Sequence, residues 1–96
     1  QRGGLFEHLY EVAGNTANLG LVAHARGQNA RAIELLTEGL ARADALGNGH
    51  LAVRIRIWLA PLLPPGEAAD RLREARHIAQ ANGYAGLLRE IEKAEA

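Results

Sequence analysis

The reading turns on the stretch Asn18-Leu19-Gly20-Leu21-Val22-Ala23-His24-Ala25-Arg26-Gly27-Gln28-Asn29-Ala30-Arg31-Ala32-Ile33-Glu34-Leu35-Leu36. It reads as the end of one helix, a turn, and the start of a second helix folding back on the first. Gly20 and Ala32 put small side chains where two helices must touch, and Leu19, Ala23, Ile33 and Leu36 surround them with larger apolar groups. Gly27 is placed to end the first helix in a left-handed cap.

Shifting the chain against itself by 36 residues lays Ala32–Gly47 over Ala68–Gly83. Six of the sixteen positions are identical: Ala32/Ala68, Leu36/Leu72, Glu38/Glu74, Ala43/Ala79, Ala45/Ala81 and Gly47/Gly83. The alanines are cheap matches in an alanine-rich chain. The leucine, the glutamate and the terminal glycine in one register point to an internal repeat of helical-array length.

Outward from this hairpin, Leu5, Leu9, Val12, Ala13, Ala17, Leu21 and Val22 recur every three to five residues and predict one long helix from about Leu5 to Arg26, after a lead-in from Gln1 to Gly4. Gly14-Asn15-Thr16 is its weak point, where a kink or short break would fall. Ala32, Ile33, Leu36, Leu40, Ala43 and Leu46 predict a second helix, ended by Gly47-Asn48-Gly49. A third is expected from about His50 to Leu63, with Pro61 tightening its last turn. Pro64-Pro65-Gly66 stops the chain, and a fourth helix follows from about Gly66 to Ala81. The last, about Tyr84 to Ala94, carries Tyr84, Leu87, Leu88 and Ile91 on one stripe and charge on the other, as a terminal capping helix must. The chain thus reads as all-α: one domain over residues 1–96, with hairpins at about 5–47 and 50–83 and a cap at about 84–95.

The 96 residues are 48% hydrophobic but only 4% aromatic, so the core must be built from alanine, leucine, isoleucine and valine. Eleven basic and eleven acidic residues balance, which speaks against direct nucleic-acid binding by this segment and against attraction to an anionic membrane. No cysteine is present, which removes disulfides, thiolate chemistry and cysteine-held zinc and fits a reducing compartment. No apolar run is long enough for a membrane span. A soluble, cytoplasmic location is expected. The chain starts at Gln1 and contains no Met, so it is read as a fragment of a longer polypeptide.

The central stretch resembles a tetratricopeptide repeat: Asn18-Leu19-Gly20, Gly27, Ala32, Leu36 and Gly39 follow that family's pattern. In the second copy Ile55, Leu59, Ala68, Leu72 and Ala75 fit, while Arg56 replaces the small residue of the first helix and Leu63-Pro64-Pro65-Gly66 replaces the glycine turn, which points to a divergent, splayed hairpin. The likeness covers roughly residues 5–83. It implies a short right-handed superhelix of antiparallel hairpins whose first helices line a concave, peptide-binding or protein-binding surface. The wording is also similar to repeat arrays of large ATP-binding bacterial transcriptional regulators and of some bacterial cyclases and kinases. Carried over residue by residue, the pattern puts Asn18, Leu21, His24 and Ala25, with His50, Arg54 and Ile57, on that concave side; Asn18 and Arg54 are equivalent positions. In such repeats an asparagine there holds a peptide backbone or carboxylate, and an arginine pairs with an anion.

For chemistry the chain offers little. No convergent set of polar groups of the kind catalysis needs is legible, and serine is absent. His8, His24, His50 and His77 share no i, i+4 spacing, so no two-histidine metal site is expected. Glu34 with Glu38, and Asp70 with Glu74, read as solvated faces, and the glycine pairs lack the lysine and strand of a phosphate loop. Trp58, the only tryptophan, is read as core. The expectation is a non-enzymatic scaffold without metal or cofactor, part of a bacterial regulatory or signalling protein, that recruits a protein or peptide. The alternatives are an effector-sensing segment of a transcriptional regulator, with a small ligand in the groove, and a structural self-association element. For the last, Leu5, Phe6, Leu9 and Tyr10 form an uncovered N-terminal face suited to a homodimer or to stacking on upstream repeats.

Overall fold

The computed structural model describes residues 2–96; the side chains of residues 2, 3 and 6 lie outside the described part. Among the described residues the fold is all-α, with five helices: α1 Arg2–Ala25, α2 Asn29–Leu46, α3 Gly49–Leu59, α4 Pro65–Asn82 and α5 Ala85–Glu95. A single 3₁₀ turn, Ala60–Leu62, carries Pro61 at the end of α3. Proline lacks the N–H that an α-helical turn would use, so the tighter turn costs little there. The chain divides into two compact units, one ending at Asn48 and one running Gly49–Ala96.

In the first unit α1 and α2 form an antiparallel hairpin, with α1 starting at Arg2 rather than near Leu5. The helix runs unbroken through Gly14-Asn15-Thr16, where the Thr16 hydroxyl donates to the Val12 carbonyl at 2.7 Å and so satisfies itself inside the helix. Ala13, Ala17, Ala23, Ala32, Leu36 and Ala43 are buried with Gly20 and Gly39. The glycines set the closeness of the crossing. A Cβ on Gly20 would stand 2.8 Å from Leu36 Cγ, and one on Gly39 would stand 3.3 Å from the Ala17 backbone nitrogen.

The second unit packs α3 and α5 against α4 around Val53, Ala75, Ala79 and Ile91, with Ile57, Ile78, Tyr84, Leu87 and Leu88 closing over them. The 36-residue register holds in local structure. Gly47 and Gly83 both cap a helix in the left-handed conformation, at φ 71° each. Asn48 N–H donates to the Ala43 carbonyl and Tyr84 N–H to the Ala79 carbonyl, both at 2.9 Å, the 6→1 bond that closes a glycine-capped helix end.

Arg56 departs from the pattern. It occupies the place of Gly20 one register later and is only 9% exposed. Its Nε donates to Glu74 Oε1 at 3.0 Å and its Nη1 to the Ala52 carbonyl at 3.4 Å. Glu74 also accepts from Arg71 Nη2 at 2.9 Å, so one carboxylate holds two guanidinium groups across the contact of α3 with α4. The long side chain therefore enters the interface with its charge satisfied.

Candidate groove between α3 and α5

Residues spaced i, i+4, i+7 and i+8 share one face of a helix. His50, Arg54, Ile57 and Trp58 occupy that spacing on α3 and make one wall of a groove; Tyr84, Gly86, Leu87 and Glu90, at and after the start of α5, make the other. Two adjoining hollows of 330 and 340 Å³ share Leu87 and Glu90 as common lining. Half-buried Ile57 and Leu87 rest on the Val53–Ile91 core and supply the apolar floor.

Each end has an aromatic fixture. His50 and Tyr84 meet edge to face, with ring centroids 5.2 Å apart and planes at 73°, a favoured geometry for aromatic pairs. The cap at Gly83 sets this contact, because it directs Tyr84 back towards α3 immediately before α5 begins. At the other end the Arg54 guanidinium lies 4.9 Å from the Trp58 ring centroid, within cation–π range. Trp58 is half-buried in the groove wall and not in the core. One position beyond Ile57, it stands off the stripe of Ala52, Ile55 and Leu59 that is buried.

Of the residues picked out by the repeat likeness, His50, Arg54 and Ile57 are thus brought together. Asn18, Leu21 and His24 lie on α1 in the other unit: Asn18 and His24 are exposed, Leu21 is half-buried, and His24 Nδ1 is 3.4 Å from Asn29 Oδ1. Leu5, Leu9 and Tyr10 are exposed at 66%, 39% and 38%, and the Phe6 side chain lies outside the described residues. The α5 wall, with Tyr84, Leu87 and Glu90, was missed as a site. Its signal was present, because 36 residues beyond Asn18 is Arg54 and 36 beyond Arg54 is Glu90.

A wider hollow of 660 Å³ lies over the α1–α2 turn, but one consecutive run, Gly27 to Arg31, lines all of it and no second wall faces it. The α3–α5 groove has two walls, an apolar floor and polar groups at its edges, which is what a binding site requires. Among the described residues no three His, Asp or Glu side chains converge as metal ligands would, and no helix is long and apolar enough to cross a membrane. Comparison with family models, with curated proteins and with solved structures finds no match.

Proposed function

We propose that the chain is a non-catalytic scaffold of tetratricopeptide type, within a bacterial regulatory or signalling protein, that holds a peptide segment of a partner protein in the α3–α5 groove. One observation carries the reading: the α3 residues selected by the repeat pattern, His50, Arg54 and Ile57, face a second helix across a groove that the chain's own side chains leave open. An aromatic and aliphatic lining with few charges suits side-chain capture better than bond-making chemistry.

Gly86 provides the test. An added Cβ there meets nothing within 4 Å, and leucine is a better helix former than glycine, so Gly86→Leu fills the groove without disturbing the fold. Peptides selected from a random displayed library against the wild-type chain are expected to change Trp58 fluorescence and to bind Gly86→Leu at least about tenfold more weakly, a loss of ~1.4 kcal/mol. Selected peptides that bind both proteins equally, or a selection that yields none, would count against the reading.

A second reading, a self-association surface on α1, is favoured by one comparison. Leu19 is 58% exposed, while Ile55 and Ile91, its equivalents one and two registers on, are fully buried. The exposed large apolar side chains among the described residues, Leu5, Leu9, Tyr10, Leu19 and Val22, all lie on α1. A face that is covered in two registers and bare in the first suits a further helical hairpin or a second copy of the chain.

A further inference from the structure

The groove carries one charge of each sign, and among the described residues neither has an ionic partner. Arg54 on α3 meets only the Trp58 ring, and its N–H donors have no acceptor; Glu90 on the α5 wall has neither hydrogen bond nor salt bridge. Seven other charged side chains of this unit are paired among themselves. Arg73 is bonded to Asp70, Arg76 to Glu95, and Arg71 with Arg56 to Glu74. Two opposite charges that line the same 340 Å³ hollow without meeting leave room between them for an occupant that answers both.

Resting on the peptide-binding reading, we propose that the groove's occupant is a short extended peptide in which two neighbouring residues carry opposite charge, its carboxylate turned to Arg54 and its cationic side chain to Glu90. Extended backbone directs successive side chains to opposite sides, so adjacent residues reach the two walls. The α3 wall from His50 to Trp58 spans about 12 Å at ~1.5 Å per helical residue. That length takes about four extended residues at ~3.3 Å each. An apolar residue on either side of the charged pair then fits against Ile57 and Trp58 at one end and Tyr84 at the other. Arg54 supplies a planar fork that a carboxylate fits in two-point fashion while its face stays on the Trp58 ring.

The test uses the full 96-residue chain and the blocked peptide acetyl-Leu-Glu-Lys-Leu-amide, with versions in which Glu, Lys or both are replaced by Gln. Binding is followed by Trp58 fluorescence and by amide shifts of α3 and α5. The doubly charged peptide is expected to bind about three- to fivefold tighter than either singly neutralised one, the range for partly exposed ion pairs, and to lose that advantage at high salt. Arg54→Gln removes the preference for Glu alone, and Glu90→Gln the preference for Lys alone; both side chains are exposed, so the fold is unaffected. If the neutral peptide binds as well as the charged one, the charge assignment is overturned while groove binding stands. If none of the four peptides shifts α3 or α5, both are overturned.

Discussion

Adding one methyl group to α1 should have opposite effects at Gly14 and Gly20, six residues apart, and the sign reports how closely α1 and α2 approach. At Gly14 a Cβ meets nothing within 4 Å. Gly14→Ala therefore keeps only the helix-propensity gain, about 1 kcal/mol of added stability. At Gly20 the same Cβ stands 2.8 Å from Leu36 Cγ and 3.2 Å from the Leu36 backbone nitrogen, and Leu36 is fully buried. Overpacking of this kind costs about 1–3 kcal/mol, so after the propensity gain Gly20→Ala is expected to lose about 1 kcal/mol net. The two variants should then differ by about 2 kcal/mol. Urea unfolding followed by far-UV circular dichroism measures the difference, and hydrogen exchange of the α1 and α2 amides assigns it to this hairpin. Truncating the neighbour closes the cycle. In a Leu36→Ala background, itself costing about 2–5 kcal/mol, Gly20→Ala should lose most of its cost, because the side-chain clash is gone and only the 3.2 Å approach to the backbone nitrogen remains. Equal stabilisation by Gly14→Ala and Gly20→Ala would refute the close crossing.

At the Arg56–Glu74–Arg71 cluster, Glu74→Ala removes the carboxylate that the nearly buried Arg56 Nε and Arg71 Nη2 both meet and is expected to cost about 1–3 kcal/mol, moderated because Glu74 itself is 42% exposed. Arg56→Met, which removes the charge and keeps the length, should be near neutral, and a thermal melt distinguishes the two. For the α1 face, light scattering is expected to give a concentration-dependent dimer mass for the wild type and a folded monomer for Leu5→Glu/Leu9→Glu. Monomers in both would remove the self-association reading.

The helices and their caps were legible because their causes are local. Apolar spacing set the five helices to within a few residues, and Gly27, Gly47 and Gly83 marked the left-handed ends of α1, α2 and α4. Half of the candidate groove was legible too, since His50, Arg54 and Ile57 follow from helical spacing once α3 is placed. The other half depends on which helix α3 faces, and that is a long-range fact. Treating α5 as a cover turned attention to its buried stripe, while Glu90, the third member of the Asn18–Arg54 register, stands at the edge of that stripe and lines the groove beside Leu87. Residue type alone points Trp58 to the core, but it lies off the buried stripe of α3. Periodicity marks Arg56 as a departure from the small residue of the pattern but does not show that Glu74, on another helix, meets it at 3.0 Å.

The central claim is that the α3–α5 groove holds the partner. The most direct measurement is an amide chemical-shift map of the isotope-labelled chain with a library-selected peptide. Shifts clustered at His50, Arg54, Ile57, Trp58, Tyr84, Leu87 and Glu90, and abolished in Gly86→Leu, are the predicted result. Shifts gathered on α1 around Leu5, Leu9, Leu19 and Val22, with α3 and α5 silent, would contradict it.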